Sequence, residues 1–168
     1  MTLSLYWVNQ DYNLKLCNID KNVMDISGKK SKRPFVGVLF TIGDMYYLAP
    51  LSSPKPKHLK MKNMIDFLKI DDGKLEIINL NNMIPVDLKY VTKVNTNKMQ
   101  NITSDERKYI KLLKEQLSWI NHTENENKII QKSMKLRNAY LENKLPANIR
   151  SRCVNFQLLE EKLLQLSK

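Results

Sequence analysis

The sequence predicts an α+β fold: a small twisted antiparallel sheet or half-open barrel, elaborated by about three to four helices. Two textures in the chain carry this expectation. Residues 1–95 hold short, closely spaced apolar runs separated by turn signals, as in small barrels and strongly twisted sheets. Residues 103–166 carry apolar positions at helical spacing. Strands therefore precede helices instead of alternating with them, which favours α+β over a parallel α/β sheet. At 168 residues the chain suits one domain with its own core, mainly β over 1–95 and helical over 103–166.

The elements follow in order. "LSLYWV" (3–8) and "PFVGVLFTI" (34–42) are rich in β-branched and aromatic residues. Gly43-Asp44 then turns the chain into "MYYLAP" (45–50), the plainest hairpin in the sequence. "MIDFLKI" (64–70) and "LEIINL" (75–80) flank Asp71-Asp72-Gly73 and form a second hairpin. "MIPVDLKYV" (83–91) supplies a further strand, made irregular by Pro85. A helix begins at Thr103, with Glu106 completing a capping box, and turns Tyr109, Leu112, Leu113, Leu117 and Ile120 inward. The next covers about 124–143, with Ile129, Ile130, Met134, Leu136, Tyr140 and Leu141 as apolar contacts, and ends before Pro146. Asn155 caps a last helix whose Leu158, Leu159, Leu163 and Leu166 form one core stripe.

Charge is the unusual bulk property. Lysine and arginine number 28 against 17 acidic residues, a net charge of +11, and such a field attracts a polyanion: nucleic acid or an anionic membrane surface. The helices pair no cationic face with a Trp- or Phe-rich one, and no apolar run approaches the roughly 20 residues that span a bilayer, so a membrane role is not expected. "MTLSLYWVNQDYNLK" lacks the basic start of a signal peptide. Cys17 and Cys153 make neither a disulfide framework nor a zinc-binding spacing and read as small core residues. A cytoplasmic location is expected.

The basic residues are unevenly placed. Lys29, Lys30, Lys32 and Arg33 precede the strand at 34, while Lys55, Lys57, Lys60 and Lys62, with His58 among them, follow Pro50. These clusters flank the first hairpin, and in an antiparallel hairpin both flanks lie at one edge. They should form one composite patch, unless each merely solvates its loop. Within it, Ser52 and Ser53 offer hydroxyl donors to phosphate oxygens, and Lys55 offers positive charge to a phosphoryl-transfer transition state. Ser52-Ser53-Pro54 also reads as a plain strand-ending turn.

RNA carries its own nucleophile in the 2′-hydroxyl, so strand cleavage needs a proton acceptor, a proton donor and positive charge. The sequence gathers no carboxylate and histidine cluster at this edge to bind a metal, so a metal-independent route is expected, with no cofactor. An ordinary lysine with a pKa of about 10.4 becomes a base only at a cost of about 4 kcal/mol for a three-unit shift. Lys55 is therefore expected to stabilise charge or to protonate the leaving 5′-oxygen. His58 titrates near neutrality and is a possible proton acceptor, or an incidental histidine.

"FVGVLFTIGDMYYLAPLSSPK", "KSMKLRN" (132–138) and "NFQLLEEK" (155–162), in this order, resemble the ToxN/AbiQ family of type III toxin–antitoxin toxins, over roughly residues 3–166. The resemblance implies a sequence-selective, metal-independent endoribonuclease on a MazF/Kid-like small barrel, leaving 2′,3′-cyclic phosphate and acting in abortive infection against phage. It further implies cellular or phage RNA substrates, inhibition by an antitoxin RNA pseudoknot that the toxin itself processes, and a closed protein–RNA hetero-oligomer. The family's Leu-Thr/Ser-Ser-Pro-Lys segment matches Ser52, Ser53 and Lys55, and its basic site residue before the Phe-(Ile/Val)-Gly strand matches Arg33. Arg33 replaces the expected lysine, and Lys29 stands where relatives carry tyrosine, which leaves the general base open.

A folded RNA inhibitor would need a wide positive groove. Lys29, Lys30, Lys32, Lys57, His58 and Lys60 would contribute from the loops, and Lys111, Lys132, Lys135 and Arg137 from the helices, beside Lys108, Lys114 and Lys128. Arg150 and Arg152 would contribute from the segment before the last helix. The alternative is a basic module that holds RNA without cutting it.

Overall fold

The computed structural model describes residues 3–26, 36–53, 55–97 and 102–168. Seven strands form one sheet: β1 (Ser4–Val8), β2 (Val36–Ile42), β3 (Met45–Ser52), β4 (Phe67–Lys69), β5 (Ile77–Asn79), β6 (Ile84–Val86) and β7 (Val91–Lys93). Their order is β4-β5-β3-β2-β1-β7, with β6 also on β3, and every pairing is antiparallel. The sheet does not close, as expected of a half-open barrel.

The β2–β3 hairpin is its axis. Gly43 takes a φ of 60°, which glycine adopts at little cost, and Ile42 pairs with Met45 across the two-residue turn. The register continues to Gly37 opposite Pro50. The free edge of β3 is divided: Tyr46, Tyr47 and Leu48 pair with β6, whereas Leu51 and Ser52 pair with β5. Pro50 lies between the two stretches, where its missing N–H breaks no ladder bond. The β4–β5 layer thus peels away from β6 at the point where the chain approaches Ser52.

Six helical segments cover and edge this sheet: α1 (Gln10–Cys17), α2 (Pro56–Lys60), α3 (Ser104–Ile120), α4 (Thr123–Leu141), α5 (Ala147–Arg150) and α6 (Phe156–Leu166). The expected caps are present, since Thr103 Oγ1 accepts the Glu106 N–H at 3.1 Å and Asn155 Oδ1 accepts that of Leu158 at 3.1 Å. The expected count of three to four is too low. α1 is an eight-residue helix capped by Asn9, too short to display periodicity, and α2 and α5 are single turns. The strand expected over 83–91 is two, β6 and β7, separated by a 3-10 turn at Leu88–Tyr90.

Two apolar stripes also need correction. The buried face of α6 is Phe156, Leu159 and Leu163, which leaves Leu158 exposed. On α4 it is Ile129, Ser133, Leu136 and Tyr140, so Met134 and Leu141, one position off that stripe, are exposed. Helical spacing of 3.6 residues decides both cases. Cys153 is buried, and burial pushes its thiol up to about 12, consistent with an unreactive core residue.

The helices are fastened to the sheet at polar points. The Tyr47 hydroxyl, on a fully buried residue of β3, donates to Glu160 of α6. Arg137 of α4 grips the same carboxylate with Nε to Oε1 at 2.6 Å and Nη2 to Oε2 at 3.1 Å. Burial, followed by the Glu160 carboxylate, raises the Tyr47 phenol well above its ordinary range, so it remains protonated and a donor. At the other end, Asn121 imitates a strand partner: Oδ1 accepts the Leu3 N–H at 2.8 Å and Nδ2 donates to the Leu3 carbonyl at 3.0 Å.

Gly37 is fixed by space. A Cβ there would stand 2.7 Å from Leu48 Cγ and 2.9 Å from the Ala49 carbonyl oxygen, and the latter cannot rotate aside. Gly37→Ala should destabilise the fold by about 1–3 kcal/mol, measured as a lowered urea midpoint with unchanged slope.

Candidate active site

Strand β3 delivers Ser52 and Ser53 to an open cavity of about 250 Å³ that Lys55 also lines. Ser52, Ser53, Lys55, Lys57 and His58 line one side. Asp66, Phe67, Asn79 and Arg152 also line the cavity, together with Asn81, Asn82 and the flexible side chains of Met24, Met61 and Met64.

Ser52 is both a ladder residue and a site residue. Its backbone pairs with Ile77 of β5, and its Oγ accepts from Asn79 Nδ2 at 2.7 Å. With that acceptor position used, the hydroxyl proton is available for a ligand oxygen. Ser53, one residue beyond the strand, is exposed, as are Lys55 and Lys57.

Lys55 caps α2, and Pro56 begins the helix at a position that needs no N–H. The cap is reciprocal. The Lys55 carbonyl accepts the His58 N–H at 2.8 Å, and the Lys55 N–H donates to His58 Nδ1 at 3.0 Å. The His58 ring also packs on Phe67, with centroids 4.9 Å apart. In the neutral ring the proton therefore sits on Nε2, and Nδ1 is already occupied as an acceptor. Partial burial, then the nearby Lys57 and Lys55 charges, lower the His58 pKa; Asp66 opposes this and Lys69 adds to it. His58 thus positions Lys55 and is poorly placed to take a proton from a ribose.

The β4–β5 layer holds the far end of this loop. Lys69 Nζ donates to the Met61 carbonyl, and the Lys69 N–H donates to Asn63 Oδ1 at 2.9 Å. Opposite, Arg152 Nε and Nη2 bind Asp66 Oδ2 at 3.1 and 2.9 Å. Asp66 is buried, and its Oδ1 has no partner among the described residues. Lys132 of α4 feels the Asp66 charge as well; burial, with Lys128 and Lys135, lowers its ammonium pKa, and Asp66 partly offsets this. Among the described residues no group of three or more His, Cys, Asp or Glu side chains is arranged to hold a metal ion.

The family model described as "Toxin ToxN, type III toxin-antitoxin system" matches residues 4–164. The chain belongs to the ToxN family. It is 31% identical, over 99% of its own length and 95% of the relative's, to a protein of Pectobacterium atrosepticum named Endoribonuclease ToxN. A solved structure described as "A processed non-coding RNA regulates a bacterial antiviral system" superposes with a TM-score of 0.78 at 29% identity, covering 98% of this chain and 99% of that one. AbiQ, described as a lactococcal anti-phage endoribonuclease of the type III toxin–antitoxin system, shares the fold with a TM-score of 0.76 at 20% identity, over 99% of both chains.

The candidate residues distribute unevenly over this ToxN fold. Ser52, Ser53, Lys55, Lys57, His58 and Arg152 share the cavity. Lys29, Lys30, Lys32 and Arg33 lie outside the described residues. Val36, the first described residue of β2, lies at the same end of the hairpin as Ser52. Lys60 is exposed on α2, Lys135 on α4 and Lys111 on α3, the last 4.0 Å from Glu115. Two arginines have other partners: Arg137 serves Glu160, and Arg150 stacks on Tyr140 at 3.9 Å while donating to its carbonyl at 2.8 Å.

Sequence reasoning missed Asp66 and Asn79. The signal for Asp66 was a lone carboxylate inside the apolar run "MIDFL", since a buried charge demands a partner. Asn79 carried no comparable signal.

Protonating His58 Nδ1 would turn the acceptor of the Lys55 N–H into a donor. The lowered folded-state pKa means that this contact is intact above the ordinary value of about 6.5 and is lost as pH falls below it through the folded value. His58→Asn, which keeps an acceptor near Nδ1, should retain most RNA-cleaving activity at pH 7.5 and lose the acid-side decline, whereas His58→Ala should lose about tenfold. An inactive Asn variant in a pH–rate series would instead make His58 the base.

Proposed function

We propose that this ToxN-family chain is an endoribonuclease toxin that cleaves RNA through its own 2′-hydroxyl, is restrained by an antitoxin RNA pseudoknot that it processes, and acts in the cytoplasm. One observation carries the reading: β3 and its register with β5 bring Ser52, Ser53 and Lys55 to a cavity rimmed by further cations, with Ser52 already oriented by Asn79. No helix among the described residues is long and apolar enough to cross a membrane.

In this reading Ser52 and Ser53 donate to the non-bridging oxygens of the scissile phosphate. The 2′-hydroxyl gives up its proton to a water molecule as its oxygen attacks the adjacent phosphorus, the bond to the 5′-oxygen breaks, and a 2′,3′-cyclic phosphate remains. Lys55 stabilises the charge that accumulates on the phosphoryl oxygens and protonates the departing 5′-oxygen. Arg33 would add a second cation from the start of the hairpin. None of these steps calls on a metal ion. Beyond the cavity, Lys57, Lys60, Lys128, Lys132 and Lys135 suit the backbone of a long or folded RNA, with Lys29, Lys30 and Lys32 as further candidates. Cellular or phage transcripts would be the substrates, and a closed protein–RNA assembly the restrained form.

Incubation with single-stranded RNA in EDTA should yield fragments ending in 2′,3′-cyclic phosphate, and Ser53→Ala should reduce the rate at least about 100-fold. Intact RNA bound equally by both proteins would instead identify a non-catalytic binding module. If about six phosphates are neutralised, the logarithm of affinity should fall against that of salt concentration with a slope near −4, as read in a filter-binding titration.

A further inference from the structure

We propose that Arg152, clamped from behind by Asp66, is a prebuilt phosphate-binding residue of the cavity, and that Asp66 is its positioning residue. The proposal rests on the RNA-cleaving reading above and adds a specific contact to it.

A guanidinium presents five N–H donors in a rigid plane. Arg152 turns the Nε and Nη2 edge toward a single oxygen of Asp66, at 3.1 and 2.9 Å. Nη1 makes no bond to another described residue, and the side chain stays 41% exposed while that of Asp66 is only 5% exposed. The guanidinium is therefore held on its buried side and presented on its open one, at the rim of the cavity that Ser53 and Lys55 also line.

The backbone beneath it is equally fixed. Asn22 Nδ2 donates to the carbonyls of Ser151 and Cys153, both at 2.9 Å, and Asn81 Nδ2 donates to that of Arg152 at 3.2 Å. The Asn81 carbonyl accepts the Val154 N–H at 2.9 Å, and its own N–H donates to the Asp66 carbonyl at 3.1 Å. One asparagine thus spaces both members of the pair.

The Arg137–Glu160 pair, which joins α4 to α6, keeps both side chains largely buried, at 23% and 14% exposure. In the Arg152–Asp66 pair the carboxylate is buried and the cation is not, and the second carboxylate oxygen engages no other described group. Holding a long cationic side chain in its bound rotamer removes an entropy cost that a free surface lysine meets on contact with RNA. The planar fork also matches two oxygens of a phosphodiester, which an ammonium does not. The ligand is thus a phosphodiester of single-stranded RNA, either the scissile one or its immediate neighbour.

The test couples protein and RNA changes. A short RNA spanning a cleavage site mapped with the unaltered protein is made with one methylphosphonate, a neutral phosphate, at each position in turn. Binding is measured to the Ser53→Ala protein with and without Arg152→Gln, Arg152→Lys or Asp66→Asn. At one phosphate in or beside the scissile step, neutralisation should weaken binding about tenfold or more in the parent but less than about twofold in Arg152→Gln. Arg152→Lys and Asp66→Asn should give intermediate penalties there. Arg152→Lys keeps a counter-charge for Asp66 and carries the test if the Gln variant does not fold. An equal penalty at every position in parent and variants would make the pair purely structural and overturn the proposal. Failure of the unaltered protein to cut any RNA would remove the nuclease reading first, and this proposal with it.

Discussion

The divided edge of β3 is the constraint on which the rest depends. One strand must satisfy β2 along one side and two different partners, β6 and β5, along the other. Two short strands cannot both continue along one edge, so the sheet parts between Leu48 and Leu51. The residues just past the parting are Ser52 and Ser53. A site arises there because the β4–β5 layer, peeled outward, forms the second wall of a cavity whose first wall is the loop leaving β3. Pro50 contributes by having no N–H to leave unpaired, and its carbonyl receives Asn79 Nδ2 at 3.4 Å.

The same strand is anchored from behind. Tyr47 lies in the half of β3 that pairs with β6 and reaches Glu160, which Arg137 also holds. This cluster joins β3 to α4 and α6 with charge-assisted bonds at positions of partial burial, where removing any one member would strand the others. Arg137 and Arg150 show why a count of cations overstates an RNA-binding surface. Each has a partner within the protein, whereas Lys128, Lys132 and Lys135, on α4 with Arg137, lie close enough for the first and last to lower the Lys132 pKa.

Much of the fold was legible because its signals are local. Gly43-Asp44 between two β-rich runs, the capping residues Thr103 and Asn155, and the stop at Pro146 each act over a few residues. The misread parts depend on long-range contacts or short length. Residues 83–91 are β-rich on both sides of Asp87, whose Oδ1 accepts the Lys89 N–H and turns the chain between two strands. Asn9, just past β1, caps α1 by accepting the Tyr12 N–H, a role that shows only once the short helix has formed. The serines and Lys55 stand together in one short segment, whereas Asp66 and Asn79 join them in the cavity only when β4 and β5 fold against β3 across tens of residues.

The choice of neutral ties around the cavity has an electrostatic consequence. Asn22, Asn79, Asn81 and Asn82 hold its walls by donating from amides to carbonyls or to the Ser52 hydroxyl, which adds no charge. Carboxylates in these positions could not donate to carbonyls and would neutralise the adjacent lysines. Among the described residues Asp66 is the acid that lines the cavity; it is buried and bound to Arg152, and its field reaches His58 and Lys132. A concave surface focuses field lines, and Lys55, Lys57 and Arg152 line the one that Ser52 and Ser53 share. Rigid walls and unneutralised cations would compete if acidic residues made the walls rigid; asparagine removes that conflict.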